Sequence, residues 1–273
     1  MTIHYLPHER PLNFKTPEND PASGPDFVRP MAKSARSLPI IDEKLRIPSF
    51  ENIVTRPRLN EMLERATDQS GATLVCGRAG MGKTVFAADY AAKCQDSIWY
   101  SIEAADYSWD TFSTYFYAAL GGDTGLDDRC ENTGGDEPLG PAVIVGFLAT
   151  CMDRLRQSAN KRPIHIVLDN IHHLYDAVWF PEFFKQLILS LAPNVRVIML
   201  CRSKPPVPLW RLRSKQMLQV IDEGVLGFTP SEATRLSRLR GFPRTIANQA
   251  HRRSSGRVSK LIESLDEIST FSP

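Results

Sequence analysis

The stretch Gly77-Arg78-Ala79-Gly80-Met81-Gly82-Lys83-Thr84 decides the fold. It spells G-x-x-x-x-G-K-[ST], in which glycines let successive backbone N–H groups turn toward phosphates, the lysine reaches the β/γ oxygens and the hydroxyl ligates Mg²⁺. Upstream, Ala72-Thr73-Leu74-Val75-Cys76 is a short apolar, β-prone run that reads as a buried strand, and downstream Val85 to Lys93 reads as a helix. Strand, loop, helix is the context the motif requires. The expected ligand is a nucleoside triphosphate with Mg²⁺, held by Gly77, Arg78, Ala79, Gly80, Met81, Gly82, Lys83, Thr84 and Val85.

Working outward, Arg56 to Ala66 has helical spacing with proline at its start, and Ser97 to Ile102 reads as a second strand. Trp109 to Leu120 reads as an aromatic-faced helix, and Gly121 to Gly135 as a glycine- and aspartate-rich insertion with no apolar period. Helical spacing returns over Pro141 to Gln157. Ile164 to Leu168 forms a third apolar strand ending at Asp169, Val178 to Leu191 a helix, Val195 to Cys201 a fourth strand, and Met217 to Ile221 a candidate fifth. This alternation predicts an α/β fold: a P-loop NTPase parallel sheet covered by helices on both faces, with ligands gathering at the carboxyl ends of the strands. Residues 1–42, rich in proline, read as a disordered arm, 43–225 as the nucleotide-binding domain and 226–273 as a short C-terminal helical, lid-like segment.

Composition excludes little. The 273 residues carry a formal net charge of +2, so no global electrostatic case exists for nucleic acid or membrane binding. The five cysteines, at 76, 94, 130, 151 and 201, are scattered without C-x-x-C and read as buried free thiols of a reducing compartment. No stretch approaches membrane-spanning length and no secretory signal heads the chain, so a soluble cytoplasmic protein is expected.

An apolar strand ending in an aspartate is the usual second half of such a site, its carboxylate holding Mg²⁺ beside the loop hydroxyl. Asp169 and Thr84 are therefore the expected metal ligands. Asn170 follows, and a neutral amide can orient an attacking water but cannot take its proton, so turnover is expected to be slow at most. Arg202, directly after the fourth strand, reads either as a charge sensor near the γ-phosphate or as a solvated strand-end arginine. Lys83, Asp169, Asn170 and Arg202 make up the expected catalytic set. His172 and His173 are adjacent without a third ligand and read as loop or packing residues. The tracts Arg235 to Arg240 and His251 to Arg253, with Arg257 and Lys260, read as a solvated helix face, with contact to nucleotide phosphates or a partner as the other reading.

The order of these motifs resembles the nucleotide-binding module of MalT-type large LuxR-family regulators, within the STAND class of signal-transduction ATPases. Lys44-Leu45-Arg46-Ile47-Pro48 with Arg56-Pro57-Arg58-Leu59 resembles the family's leading K-L-x-x-P and R-x-R-L. Asp169-Asn170-Ile171-His172 lies where the family has D-D-x-H. Cys201-Arg202 through Leu209, with Arg211 to Arg213, is similar to its S-R-x-x-P-P-x-P-L and R-x-R, and Leu226 to Ala233 to its L-x-F-T-x-x-E-A. The resemblance covers residues 44–240. It implies ATP or ADP as the nucleotide and a switch between a closed ADP form and an ATP-bound oligomer, working through a protein partner or self-association. Asn170 departs from the family's second acid, and the chain stops short of the winged-helix, sensor-repeat and helix-turn-helix parts, so no DNA-binding domain is expected in it. A catalytic P-loop ATPase or kinase and a degenerate interaction scaffold stay open as other readings.

Overall fold

The computed structural model describes residues 40–122, 140–158 and 162–271. Most of the arm read over 1–42 and of the insertion read over 121–135 lies outside them. Five strands form one all-parallel sheet: β1 (Ala72–Cys76), β2 (Asp96–Ser101), β3 (Ile164–Asp169), β4 (Val195–Cys201) and β5 (Leu218–Ile221). Their spatial order is β2-β3-β4-β1-β5. The candidate fifth strand is thus an edge strand beside β1, its Ala72 in register with Leu218.

Parallel strands need helical crossovers, which leaves both sheet faces to be covered. The strand side chains sort accordingly. Leu74, Ile166, Leu168, Val197 and Met199 enter the larger core, with Phe112 and Phe116 of α3 (Trp109–Ala119), Leu148 and Cys151 of α4 (Pro141–Ser158), and Phe183 and Leu187 of α5 (Phe180–Ser190). Their neighbours one residue along, Val75, Val167, Ile198 and Leu200, enter a second core with Leu59 and Leu63 of α1 (Pro57–Ser70) and Phe86 and Ala87 of α2 (Lys83–Ala91). The alternation is the period-two rule of a strand buried on both sides. Proline sits in the first turn of α1 and of α5, where a missing N–H costs nothing. The helix read from Val178 begins two residues later, and Val178 itself is exposed.

After β4 come α6 (Leu209–Ser214), β5 and the short α7 (Glu223–Leu226). Then α8 (Pro230–Leu239), α9 (Arg244–Ser254) and α10 (Val258–Phe271) close a third apolar cluster of their own around Phe228, Ala233, Leu236, Ala250, Leu261 and Leu265. Among the described residues no helix is long and apolar enough to cross a membrane.

Candidate functional site

The strand order puts β1, β4 and β3 side by side, so their carboxyl ends deliver the glycine-rich loop, Arg202 and Asp169 to one rim. Gly80 and Gly82 both take positive φ, +79° and +76°, the left-handed region that a side chain resists. Gly82 is the residue that leads into α2, so the free N–H groups of that helix start face the loop's interior.

Lys83 is 9% exposed. Its ammonium donates to the carbonyls of Gly77 at 2.5 Å and Arg78 at 3.1 Å, and burial pulls its pKa below the usual lysine value. The Thr84 hydroxyl donates to Asp169 Oδ2 at 2.9 Å, while Asp169 Oδ1 is buried without a partner. Burial raises the Asp169 pKa, against the hydrogen bonds from Thr84 and the Asn170 backbone and the charge of Lys83. A hydroxyl and a half-satisfied carboxylate facing each other are hard oxygen donors of the kind Mg²⁺ takes. Among the described residues no group of three or more His, Cys, Asp or Glu side chains is arranged to hold a metal by itself. Two protein oxygens with phosphate and water completing the shell is the arrangement these residues fit.

Asn170 has φ 60° and ψ 32°, a left-handed position that asparagine tolerates better than most residues. It starts the 3₁₀ turn Ile171–Leu174, whose His172 and His173 rings lie tilted at 30° with centroids 4.4 Å apart. Both ring nitrogens of His172 are buried without partners. Burial, then the charges of His173, Arg202 and Lys83, lower its pKa to about 4. Arg202 is exposed on the same rim.

A second set of contacts, between the loop and distant segments, was not read from the sequence. Arg78 is fixed by Glu223 of α7, through its backbone N–H at 2.9 Å and its guanidinium at 2.7 Å. The turn between α9 and α10 lies on the loop: Ser259 N–H donates to the Gly80 carbonyl at 3.1 Å, and Arg257 Nε donates to the Ala79 carbonyl at 3.0 Å. Arg56, 4% exposed, donates to the Leu226 carbonyl at 2.6 Å and to Glu232 Oε2 at 3.2 Å. Arg58 grips the Val225 and Gly227 carbonyls and both Glu232 oxygens. Glu232 also accepts from Thr229 N–H, closing a capping box at the start of α8. The R-x-R at the start of α1 and the glutamate of L-x-F-T-x-x-E-A are thus the two halves of one clamp on the segment between β5 and α8.

A cavity of about 360 Å³ opens beside the loop's last residues, lined by Ile53, Val54, Arg56, Val85, Phe228 and Val258 among others. Arg56, whose guanidinium lies over the Phe228 ring at 4.5 Å, has Nε and Nη1 buried without hydrogen-bond partners. The cavity is apolar apart from a few polar groups, the usual make-up of a small-molecule site.

The AAA domain family matches residues 65–201. The HTH-type transcriptional regulator MalT of Serratia proteamaculans is 30% identical over 197 residues, 71% of this chain and 21% of the regulator. That of Yersinia enterocolitica is 29% identical over 198 residues, with the same coverage. The chain spans about a fifth of the length of these curated relatives. Among solved structures, a Walker-type ATPase of Pyrococcus abyssi aligns with a TM-score of 0.49 at 10% identity, covering 81% of this chain and 69% of that one.

Proposed function

The chain belongs to the AAA domain family of P-loop NTPases, and from that premise we propose that it is a nucleotide-dependent switch, binding ATP or ADP with Mg²⁺ and hydrolysing ATP slowly or not at all. In this reading the amides of Gly80 to Thr84 hold the phosphates, Lys83 leaves its loop carbonyls to neutralise them, and Thr84 with Asp169 Oδ1 holds the cation. Bound Mg²⁺ would supply charge neutralisation across the β- and γ-phosphates. The nucleoside occupies the cavity beside Val85. Arg202 is the group placed to sense the γ-phosphate. Asn170 orients water without taking its proton, which keeps turnover slow.

The observation that carries the switch is the pair of hydrogen bonds from Ser259 and Arg257 to the loop carbonyls. A trans peptide is planar, with its N–H and C=O on opposite sides. The unit whose carbonyl belongs to Gly80 carries the N–H of Met81, and the unit of the Ala79 carbonyl carries the N–H of Gly80. Turning either N–H toward a phosphate rotates the carbonyl that holds the α9–α10 turn. Loop occupancy and lid position are therefore coupled through the same two peptide planes, and a protein partner or a second copy of the chain reads the lid. The Arg56/Arg58–Glu232 clamp is the fixed hinge about which that movement occurs.

The test is amide hydrogen exchange across α8–α10 with and without Mg-ATP and Mg-ADP. The switch predicts that the two nucleotides protect Ser259 and the first turn of α10 differently. Equal protection by both, with binding demonstrated, would leave a nucleotide-binding domain without a switch.

A further inference from the structure

Cys76 closes β1 and Cys201 closes β4, and the two are register partners on neighbouring parallel strands. Neighbouring strands lie about 4.8 Å apart, inside the roughly 4.4–6.8 Å Cα separation that a disulfide spans. Both side chains enter the same core cluster, so they leave the sheet on the same face. They remain free thiols, Cys201 fully buried and Cys76 7% exposed at the sheet's upper edge. The Cys201 thiol donates to the Val75 carbonyl at 3.6 Å, and its closeness to Cys76 holds the Cys76 pKa below the usual thiol value, with burial opposing. The same contact and burial push Cys201 up. The pair is therefore asymmetric: Cys76 at the edge with its pKa lowered, and Cys201 behind it, fully buried, with its pKa raised.

Each cysteine is also the last residue before a site group. Gly77 starts the loop, accepts the Lys83 ammonium at its carbonyl, and donates its own N–H to the Cys201 carbonyl at 3.2 Å. Arg202 follows Cys201. Anything that draws the two sulfurs together acts on the stem from which the loop, Lys83 and Arg202 are set.

We propose that Cys76 and Cys201 are an oxidisable thiol pair which a hydroperoxide converts to a disulfide, and that this bond turns off nucleotide binding at the adjoining loop. The Cys76 thiolate attacks one peroxide oxygen, the O–O bond breaks and hydroxide leaves, giving the sulfenic acid. The Cys201 sulfur then attacks the Cys76 sulfur, the S–O bond breaks, and the proton of Cys201 goes out with the leaving hydroxide as water. Two thiols and one hydrogen peroxide become one disulfide and two waters. A dithiol reductant reverses the change.

The second half of the proposal rests on the nucleotide-binding reading above; the first half does not. The full chain is treated with hydrogen peroxide and mapped by non-reducing peptide mass spectrometry, and Mg-ATP affinity is measured before and after and again after dithiothreitol. The expected result is a Cys76–Cys201 cross-linked peptide with about tenfold or greater loss of affinity, some 1.4 kcal/mol, restored by reductant. Cys201→Ser should bind Mg-ATP as the untreated protein does and keep that affinity through peroxide. Cys76→Ser is the second variant, expected to form no sulfenic acid at this pair. A bond to another cysteine, no bond at all, or affinity lost equally in Cys201→Ser overturns the proposal. So does a bond that leaves affinity unchanged. A reduced protein that binds no Mg-ATP sinks the nucleotide reading and with it the switch-off, while the peptide map still decides the thiol pair.

Discussion

Gly80 and Gly82 have nearly the same backbone conformation, yet substituting alanine at the two should cost different amounts. Both take positive φ, so alanine carries a left-handed penalty of about 1–2 kcal/mol at each. The loss of chain freedom in the unfolded state, which favours alanine, is common to both and cancels. The surroundings differ. A Cβ on Gly82 would meet only Val258 Cγ2 at 3.5 Å, ordinary contact. A Cβ on Gly80 would lie 2.8 Å from Ser259 Cβ and closer still to its hydroxyl, with Arg257 Nε at 3.2 Å. Rotating the serine moves its hydroxyl but not its Cβ, so the α10 backbone has to retreat. Retreat stretches the Ser259–Gly80 and Arg257–Ala79 hydrogen bonds, each worth about 0.5–1.5 kcal/mol. Gly80→Ala should therefore destabilise by about 2–5 kcal/mol and Gly82→Ala by about 1–2. Urea denaturation without nucleotide measures the difference, and hydrogen exchange locates it: the first turn of α10 should exchange faster in Gly80→Ala only. Equal losses in the two variants, or an unchanged α10 in Gly80→Ala, would refute the account of the lid resting on the loop.

Other perturbations follow from the same contacts. Glu232→Ala leaves buried Arg56 without its carboxylate and α8 without its reciprocal cap, a loss of about 3–5 kcal/mol in urea denaturation. Glu232→Gln, which keeps an acceptor and a similar shape, should lose clearly less. Lys83→Ala should weaken Mg-ATP binding by about 10- to 100-fold, the worth of a charged hydrogen bond, as calorimetry would show. His172 has a folded pKa of about 4 against an ordinary 6.5, so between those values the unfolded chain binds more protons. Its contribution is full above 6.5 and is lost as the pH falls toward 4. His172→Gln should flatten the fall in urea stability across that window, and an unchanged slope would show that other groups carry it.

The sheet and the loop were legible because both rest on local signals. Strands such as Val195–Cys201 are apolar and buried on both faces but for Arg196, and Gly80 and Gly82 of the loop sit where positive φ is needed. Asp169 was legible by the same logic, as the polar end of an apolar strand. What sequence could not supply was pairing across long separations. Arg56 and Glu232 are 176 residues apart, Arg257 and Ala79 178, and nothing local in either member names its partner. Asn170, in the left-handed region, starts the 3₁₀ turn that brings the His172 and His173 rings to a centroid separation of 4.4 Å. The cysteines were read one by one as inert buried thiols, and only strand order sets Cys76 against Cys201.

The central claim is that phosphate binding and lid position are one event. Calorimetric titration of the full chain with Mg-ATP and Mg-ADP, repeated on Gly80→Ala and Gly82→Ala, tests it most directly. The account predicts binding of both nucleotides, and an ATP-to-ADP affinity ratio that shifts in Gly80→Ala by more than in Gly82→Ala, because only the former displaces the lid. No heat of binding at millimolar nucleotide, or a ratio that moves equally in both variants, would contradict it.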